Sequence, residues 1–116
     1  MKLEGEGTLL RIFIGEADRI GHQPAYEAIV LKAREQGLAG ATVLRGVEGF
    51  GAVSRVVHTA KILRLSEDLP MVIELVDTAE AIRKFVPVAE AILSGAGSGG
   101  LMTMEPITII KYTHGS

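Results

Sequence analysis

Apolar residues alternate along two stretches of the chain in the way that β-strands require. Thr8 to Ile14 carries apolar side chains on both faces, with Leu10, Ile12 and Ile14 on one side and Leu9 and Phe13 on the other. Met71 to Val76 repeats this arrangement. Each predicted strand therefore has two largely apolar faces, and both faces need cover.

A spacing of three and four residues between apolar positions predicts a first helix from Pro24 to the residue before Gly37. Proline suits a first helical position, and glycine commonly follows a helix end. The apolar stripe consists of Tyr26, Ile29, Val30 and Ala33. This is the clearest helical pattern in the chain.

The same spacing predicts a second helix after Asp77, with Asp77 as its N-cap and Glu80 three residues on. We expect Pro87 to kink this helix, which ends at the glycine-rich run SGAGSGG. Its buried stripe consists of Ile82, Phe85, Ala89, Ile92 and Leu93.

Three further stretches complete the predicted elements. Ala41 to Arg45 reads as the second strand, Lys61 to Leu65 joins Met71 to Val76 in one interrupted limb, and Leu101 to Tyr112 forms the last strand. Pro106 either interrupts the last strand or keeps it at a sheet edge. The order βαβ, loop, βαβ predicts an α+β ferredoxin-like split βαβ sandwich, a four-stranded antiparallel sheet with two helices on one face. The helices cover one face only, so we expect sheets of several copies to cover one another around a symmetry axis.

Length and composition narrow the class of protein. The 116 residues are 47% hydrophobic and 22% charged, which predicts one domain over residues 1–116. There are no cysteines, which excludes a disulfide framework and a cysteine nucleophile. With a net charge of -2, the chain lacks the overall positive charge that is typical of nucleic-acid-binding proteins. No stretch resembles a signal peptide or a membrane span, so we expect a soluble cytoplasmic protein.

The glycine-rich stretch from Gly37 to Lys61 is the first candidate for function. Phe50 is bracketed by Gly46, Gly49 and Gly51, and positive charge lies around it at Arg45, Arg55, His58 and Lys61. This composition is typical of a mobile loop, here residues 46–57, that closes on an anion or docks into a partner. The alternative is a long hairpin loop whose phenylalanine packs onto the core.

The second candidate is the run from Gly95 through Gly97 and Gly99 to Gly100, which has the spacing G-x-G-x-x-G. A dinucleotide-binding motif of that spacing follows a strand and opens a helix, whereas this run leaves a helix and enters a strand. Consecutive glycine amides can still converge on a phosphate. The alternative is a flexible connection with a glycine that ends the helix.

Catalytic and metal sites have little support in the sequence. The histidines His22, His58 and His114 include no pair at the spacing of a helical zinc site. Glu74, Asp77 and Glu80 give only weak support for paired-carboxylate chemistry. No nucleophile, base and orienting group can be assembled, so we predict no catalytic residue, no bound metal, no cofactor and no enzyme.

The chain also resembles a family, through LLRIFIGEADR, AYEAIVLKAREQGLAGATVLRGVEGFG, VHTAKILRLSEDLPMVIELVD and the closing ITIIKY. These stretches look like the PII-like proteins of domain of unknown function one hundred and ninety. The most specific parts are the run from Arg45 to Gly51 and the block His58-Thr59-Ala60-Lys61. The family is related to PII signalling proteins and to CutA proteins, so the resemblance implies a trimer of ferredoxin-like subunits.

What the resemblance implies about function is specific. PII proteins bind ATP or ADP in clefts between subunits and dock onto a transporter or enzyme through a long loop. By similarity, Arg45 to Lys61 matches that loop and Ser94 to Gly100 matches the phosphate-binding loop. Leu101 stands where PII has a phosphate-binding lysine, and residues 45–61 contain no tyrosine for uridylylation. The implied ligand therefore includes smaller nucleotides, such as a monophosphate or a cyclic form.

Two classes of function are left by these observations. The first is a trimeric regulatory protein that binds a nucleotide or other anion and controls a membrane transporter or channel through its loop. The second is a CutA-like trimer that binds divalent metal or serves a structural role. Ligands clustered for a metal are scarce in the sequence, which favours the first class.

Overall fold

The computed structural model describes residues 3–50, 68–97 and 99–113. The helices are α1, Ala25–Glu35, and α2, Ala79–Gly95. The long strands are β1, Gly5–Gly15, β4, Gly40–Arg45, β5, Pro70–Asp77, and β6, Leu101–Ile109. Two short strands, β2, Arg19–Ile20, and β3, Gln23–Pro24, form a small hairpin of their own. The predicted strand at Lys61 to Leu65 lies outside the described residues.

Strand β1 lies inside the described sheet, whose order is β4-β5-β1-β6, and all its pairings are antiparallel. Leu10 pairs with Leu75 on one side and with Met104 on the other. This is the predicted ferredoxin-like arrangement of two helices and a four-stranded antiparallel sheet. Strand β6 lies at an edge, and this explains how it accommodates Pro106, which lacks the N–H of a ladder hydrogen bond.

The core lies between the sheet and the two helices. The sheet contributes Leu10, Ile12, Ile14, Met71, Ile73 and Leu75, all buried. Helix α2 contributes the five residues predicted from its spacing, and helix α1 contributes Ala25, Ile29 and Ala33. Tyr26 and Val30 of the predicted α1 stripe are only half-buried and border this cluster.

The opposite side of the sheet, here called the open face, carries the alternate residues of the same strands. The strand register aligns one apolar residue from each strand into a row across it: Leu44, Val72, Phe13 and Leu101. Leu44 is 49% exposed and Leu101 is 55% exposed. No described element covers this row, so the two-sided apolar pattern read from the sequence is a real property of the sheet.

Helix α2 begins differently from the sequence-based expectation, which made Asp77 its N-cap. Thr78 is the N-cap, and its hydroxyl accepts a hydrogen bond from the amide of Ala81 at 3.2 Å. Asp77 is the last residue of β5, and its buried carboxylate accepts hydrogen bonds from the amides of Thr78 and Ala39. The carboxylate therefore joins the end of β5 to the segment before β4. The helix continues through Pro87 without interruption.

The last strand is shorter than predicted. Ile109 pairs with Gly5, the first residue of β1, so the following residues have no strand beside them. The chain instead crosses to the other side of this sheet end, where the Tyr112 hydroxyl donates a hydrogen bond to the carbonyl oxygen of Ala39 at 3.1 Å. The hairpin β2–β3 was also missed, because strands of two residues are too short to produce an alternating pattern.

The two roles at the start of α2 predict a graded loss of stability. Thr78→Ala removes one cap and should lower the free energy of unfolding by about 1 kcal/mol. Asp77→Ala leaves two half-buried amides without their buried acceptor and should cost about 2 kcal/mol. Urea unfolding followed by circular dichroism at one protein concentration would measure both.

Thr108→Ala serves as the control, because Thr108 is an exposed residue of the edge strand β6. This variant should stay within about 0.5 kcal/mol of the wild type. An Asp77→Ala variant no less stable than Thr78→Ala would contradict the linking role of the carboxylate.

Candidate functional site

One end of the sheet collects the described parts of both sequence-predicted sites. Strand β1 ends there at Gly15, which pairs with Pro70, and Arg45 pairs with Met71 at the end of β4. Strand β6 begins at the same end, where Leu101 pairs with Phe13. The start of the predicted loop and the end of the glycine-rich run therefore share this sheet end, here called the ligand end.

Arg45 makes a specific ion pair at the ligand end. One terminal guanidinium nitrogen lies 3.0 Å from a carboxylate oxygen of Glu16, which follows β1 directly. The Arg45 side chain is 58% exposed, whereas that of Glu16 is 24% exposed. Sequence reasoning missed Glu16, because the two residues are far apart in the chain and only the sheet register brings them together.

At the start of the predicted loop, Gly46 makes a close contact with β5. The amide of Gly46 donates a hydrogen bond to the carbonyl oxygen of Pro70 at 2.7 Å. A Cβ atom on Gly46 would lie 2.7 Å from the Pro70 ring and 3.2 Å from its carbonyl oxygen. Gly46 is therefore required for packing, which is a sufficient reason for a glycine at this position.

Beyond Gly46 the chain leaves the sheet with its apolar side chains in solvent. Val47 is 86% exposed and Phe50 is 79% exposed. The alternative in which Phe50 packs onto the core is wrong for this structure. The remaining predicted loop residues, Gly51, Arg55, His58 and Lys61, lie outside the described residues.

The first half of the glycine-rich run ends helix α2. The amide of Ala96 donates to the carbonyl oxygen of Ile92 at 2.9 Å, and the amide of Gly97 donates to the carbonyl oxygen of Ser94 at 3.0 Å. Gly97 has a φ of 64°, the left-handed conformation that favours glycine after a helix. Because these two amides already have partners, an anion at this loop would be met by amides after Gly97.

Gly95 and Gly100 have packing reasons of their own. A Cβ atom on Gly95 would lie 3.0 Å from Ile20, so a glycine lets the hairpin β2–β3 approach the end of α2. A Cβ atom on Gly100 would lie 3.2 Å from the carbonyl oxygen of Phe13. Leu101 belongs to the apolar row of the open face, which is a structural reason for a leucine there.

The two candidate segments lie on opposite edges of the sheet. Arg45 is on β4 and Gly99 and Gly100 precede β6, with β5 and β1 between these strands. Adjacent strands are about 4.8 Å apart, so three spacings separate the edges by about 14 Å. A single phosphate group is too small to contact both segments of one subunit. Contact of one phosphate with both Arg45 and the glycine-rich run therefore needs a second copy of the chain.

An ion cluster lies next to the apolar row on the open face. Nε of Arg11 is 3.0 Å from a carboxylate oxygen of Glu74, and a terminal nitrogen contacts Glu105. The hydrogen bond from Arg11 to Glu74 is the main cause that raises the pKa of Arg11; Glu105 adds to it, and desolvation by burial opposes it. The open face therefore combines an apolar row with a charged centre.

A groove of about 730 Å³ lies toward the other end of the sheet, between the start of α2 and β6. The charged residues in its lining are Glu6, Arg83 and Glu105, so acidic residues outnumber basic ones there. That balance disfavours a phosphate, and no sequence-predicted site residue lines the groove. The candidate site is therefore the ligand end.

The described residues contain no group of three or more histidine, cysteine or acidic side chains placed to hold a metal ion. Of the three histidines, only the exposed His22 lies within the described part of the chain. Across residues 3–50, 68–97 and 99–113, no helix is both long and apolar enough to cross a membrane.

Comparison of sequences identifies the relatives of this chain. A family model described as "Uncharacterized ACR", DUF190, matches residues 7–109. A UPF0166 protein of Aquifex aeolicus is 33% identical over 102 residues, which are 88% of this chain and 91% of the relative. A UPF0166 protein of Methanocaldococcus jannaschii is 34% identical over 92 residues, covering 79% of this chain and 83% of the relative.

Comparison of structures identifies PII-like folds. CPII, a nitrogen regulatory PII-like protein from Thiomonas intermedia bound to ADP, AMP and bicarbonate, has a TM-score of 0.64 and 15% identity over 95% of this chain and 92% of its own. A PII-like signalling protein of Thermus thermophilus has a TM-score of 0.63 and 15% identity, with coverages of 97% and 100%. A phage SAM lyase in complex with S-methyl-5'-thioadenosine is a weaker match, with a TM-score of 0.52, 17% identity and coverages of 96% and 89%. At these identities the likeness concerns the fold alone.

The helix-ending role of Gly97 predicts a graded series of variants. Gly97→Ala places a Cβ atom on a left-handed residue and should lower the free energy of unfolding by about 1 kcal/mol. Gly97→Asn should cost less, because asparagine tolerates this conformation better. Thermal unfolding of the three proteins would rank them, and an alanine variant as stable as the wild type would contradict this role.

Proposed function

The chain belongs to the DUF190 family, and from this premise we propose that it is a PII-like regulatory protein that binds a nucleotide or other anionic small molecule between the subunits of a trimer. Its loop after Arg45 then acts on a partner, which we propose to be a membrane transporter or channel. The protein performs no chemistry on the ligand.

The observation that carries this proposal is the geometry of the ligand end. Arg45 supplies a cation at one sheet edge, and the amides of Gly99 and Gly100 approach the same end at the other edge. Two neighbouring copies can bring one edge of each together, so that a phosphate meets both. A charge-assisted hydrogen bond from arginine is about twice as strong as a neutral one, which adds to the weak anion affinity of backbone amides.

The open face supports the assembly. An apolar row that crosses four strands without cover in the described chain is a surface expected to bury itself. The sheets of three copies can pack these rows against each other around a threefold axis. The helices then lie outside, and the strand edges of neighbouring subunits meet.

The class of ligand follows from the charges present. CPII, with which this chain shares the fold, has a structure bound to ADP, AMP and bicarbonate. Arg45 is already paired with a carboxylate, and the position after Gly100 is a leucine rather than a lysine. We therefore propose a ligand of modest charge, an adenosine monophosphate or diphosphate in preference to a triphosphate.

The start of the loop supports a partner contact. Val47 and Phe50 expose most of their surface next to the ligand end, and burying such side chains stabilises a complex. Arg45 directly precedes this loop. A ligand bound at Arg45 can therefore change the conformation of the loop that the partner contacts. The proposed partner-binding segment therefore lies directly beside the proposed ligand-binding site.

The first experiment measures nucleotide affinity by calorimetry with AMP, ADP, ATP and cyclic AMP. We expect at least one of them to bind, and Arg45→Ala to weaken its binding by at least about tenfold, because a hydrogen bond to a charged group is lost. The mass of the assembly should not change, since Arg45 lies outside the apolar row.

Arg34→Ala is the matched control, because Arg34 is an exposed arginine of α1 at the opposite end of the sheet. It should bind the nucleotide as the wild type does. Equal affinities for wild type and Arg45→Ala, or binding of none of the four nucleotides, would contradict the proposed site.

The second experiment tests the open face. Light scattering at micromolar concentration should give the mass of a trimer for the wild type. Leu44→Glu places a charge in the apolar row and should shift the mass toward the monomer, because burying an unpaired carboxylate is costly.

Leu31→Glu is its matched control, because Leu31 on helix α1 and Leu44 on the open face are both 49% exposed. The control should leave the mass unchanged. A wild-type monomer, or equal masses for the two variants, would contradict assembly through this face.

A further inference from the structure

We propose that Glu16 is a built-in competitor of the ligand at Arg45 and so sets the affinity of the site, an inference that rests on the proposed function. The Glu16 carboxylate accepts a hydrogen bond from the same guanidinium group to which an anion would bind. An incoming phosphate must displace this carboxylate or share the guanidinium with it.

Glu16 is held by a tight turn at the end of β1. Its own amide donates to the carbonyl oxygen of Leu69 at 2.8 Å. The amide of Gly15 donates to the Asp18 carboxylate at 2.9 Å, and the amide of Ala17 donates to the Asp68 carboxylate at 3.2 Å. Every residue from Gly15 to Ala17 thus has its amide bound, which keeps the backbone that carries the carboxylate in place.

Arg45 is the partner that can move. It is the last residue of the edge strand β4, and its side chain is more than twice as exposed as that of Glu16. An arginine side chain has four rotatable bonds and five N–H donors, of which this pair uses one described hydrogen bond. The guanidinium can therefore turn away from a fixed carboxylate toward a ligand.

The consequence is a lowered apparent affinity. A site whose binding-competent state is only partly populated binds in proportion to that population. The carboxylate also repels the negative charge of the ligand at close range, and more strongly as that charge increases. Glu16 therefore weakens the site and disfavours the more highly charged nucleotides.

The experiment is a double-mutant cycle measured by calorimetry with AMP and ADP. Four proteins are compared: wild type, Glu16→Gln, Arg45→Ala and the double variant. Glutamine keeps the shape of the side chain and removes its charge. Glu16→Gln should tighten binding by about threefold to fivefold, as expected for loss of an exposed ion pair, with the larger gain for ADP. In the Arg45→Ala background the same substitution should give a gain of less than about twofold.

Glu35→Gln is the matched control. It removes the same charge and also breaks an exposed ion pair, in this case with Lys32 at 3.5 Å on α1. Its affinities should equal those of the wild type. A gain as large as that of Glu16→Gln would show an effect of net charge alone and would overturn the proposal.

The remaining outcomes separate this inference from the proposed function. If the wild type binds AMP or ADP and Arg45→Ala weakens that binding, but Glu16→Gln leaves it unchanged or weaker, only the role of Glu16 fails. A Glu16→Gln gain that persists undiminished in the Arg45→Ala background also overturns the competition. If no protein of the set binds either nucleotide, the proposed preference for an adenosine monophosphate or diphosphate fails, and the role of Glu16 fails with it.

Discussion

The constraint on which the structure depends is that strand β1 has two apolar faces and hydrogen-bonded neighbours on both sides. Its even-numbered residues, Leu10, Ile12 and Ile14, are buried beneath the helices. Its odd-numbered residues, Leu9, Arg11 and Phe13, are only half-buried on the open face. Because side chains alternate strictly along a strand, a shift of one residue would exchange these sets. The register of the sheet is therefore held by the core, and the composition of the open face follows from it.

The same register determines where the candidate site can form. Strand order places β4 and β6 at opposite edges, while antiparallel pairing brings the end of β4 and the start of β6 to one end of the sheet. In the proposed assembly, each subunit therefore presents two incomplete halves of the proposed anion site. The apolar row that ends at Leu44 and Leu101 on these same edges is the surface through which we propose that the copies associate.

Much of the fold could be predicted from the sequence, because the core residues repeat with the periods of strands and helices. The buried stripe of α2 from Ile82 to Leu93 is confirmed residue by residue. The predictions were wrong where individual hydrogen bonds determine how an element begins or ends. Asp77 has a side chain that suits an N-cap, but the preference of neighbouring Thr78 for the same role leaves Asp77 free to bind Ala39, a contact that no local pattern contains. The hairpin β2–β3 was missed because its strands are so short.

The candidate site was harder to predict from the sequence, because several of its glycines have structural roles that look like functional ones. Gly46 approaches Pro70, Gly97 ends a helix, and Gly100 approaches the backbone of β1. Neither close packing nor a left-handed φ can be told from a phosphate-binding motif in the sequence. The ion pair between Arg45 and Glu16 was equally hidden, since 29 positions separate the two residues.

Placing a site between subunits has a thermodynamic consequence that joins these observations. A ligand that binds only where two copies meet must favour their association by the same factor by which association favours its binding. Glu16 enters this balance on the ligand side alone, because its contact with Arg45 lies within a single chain. The carboxylate can therefore lower ligand affinity without weakening the contact of the apolar rows. In this proposal, assembly and ligand response are set by different residues. Leu44, Val72, Phe13 and Leu101 determine the assembly, and the ion pair between Glu16 and Arg45 determines the response to ligand.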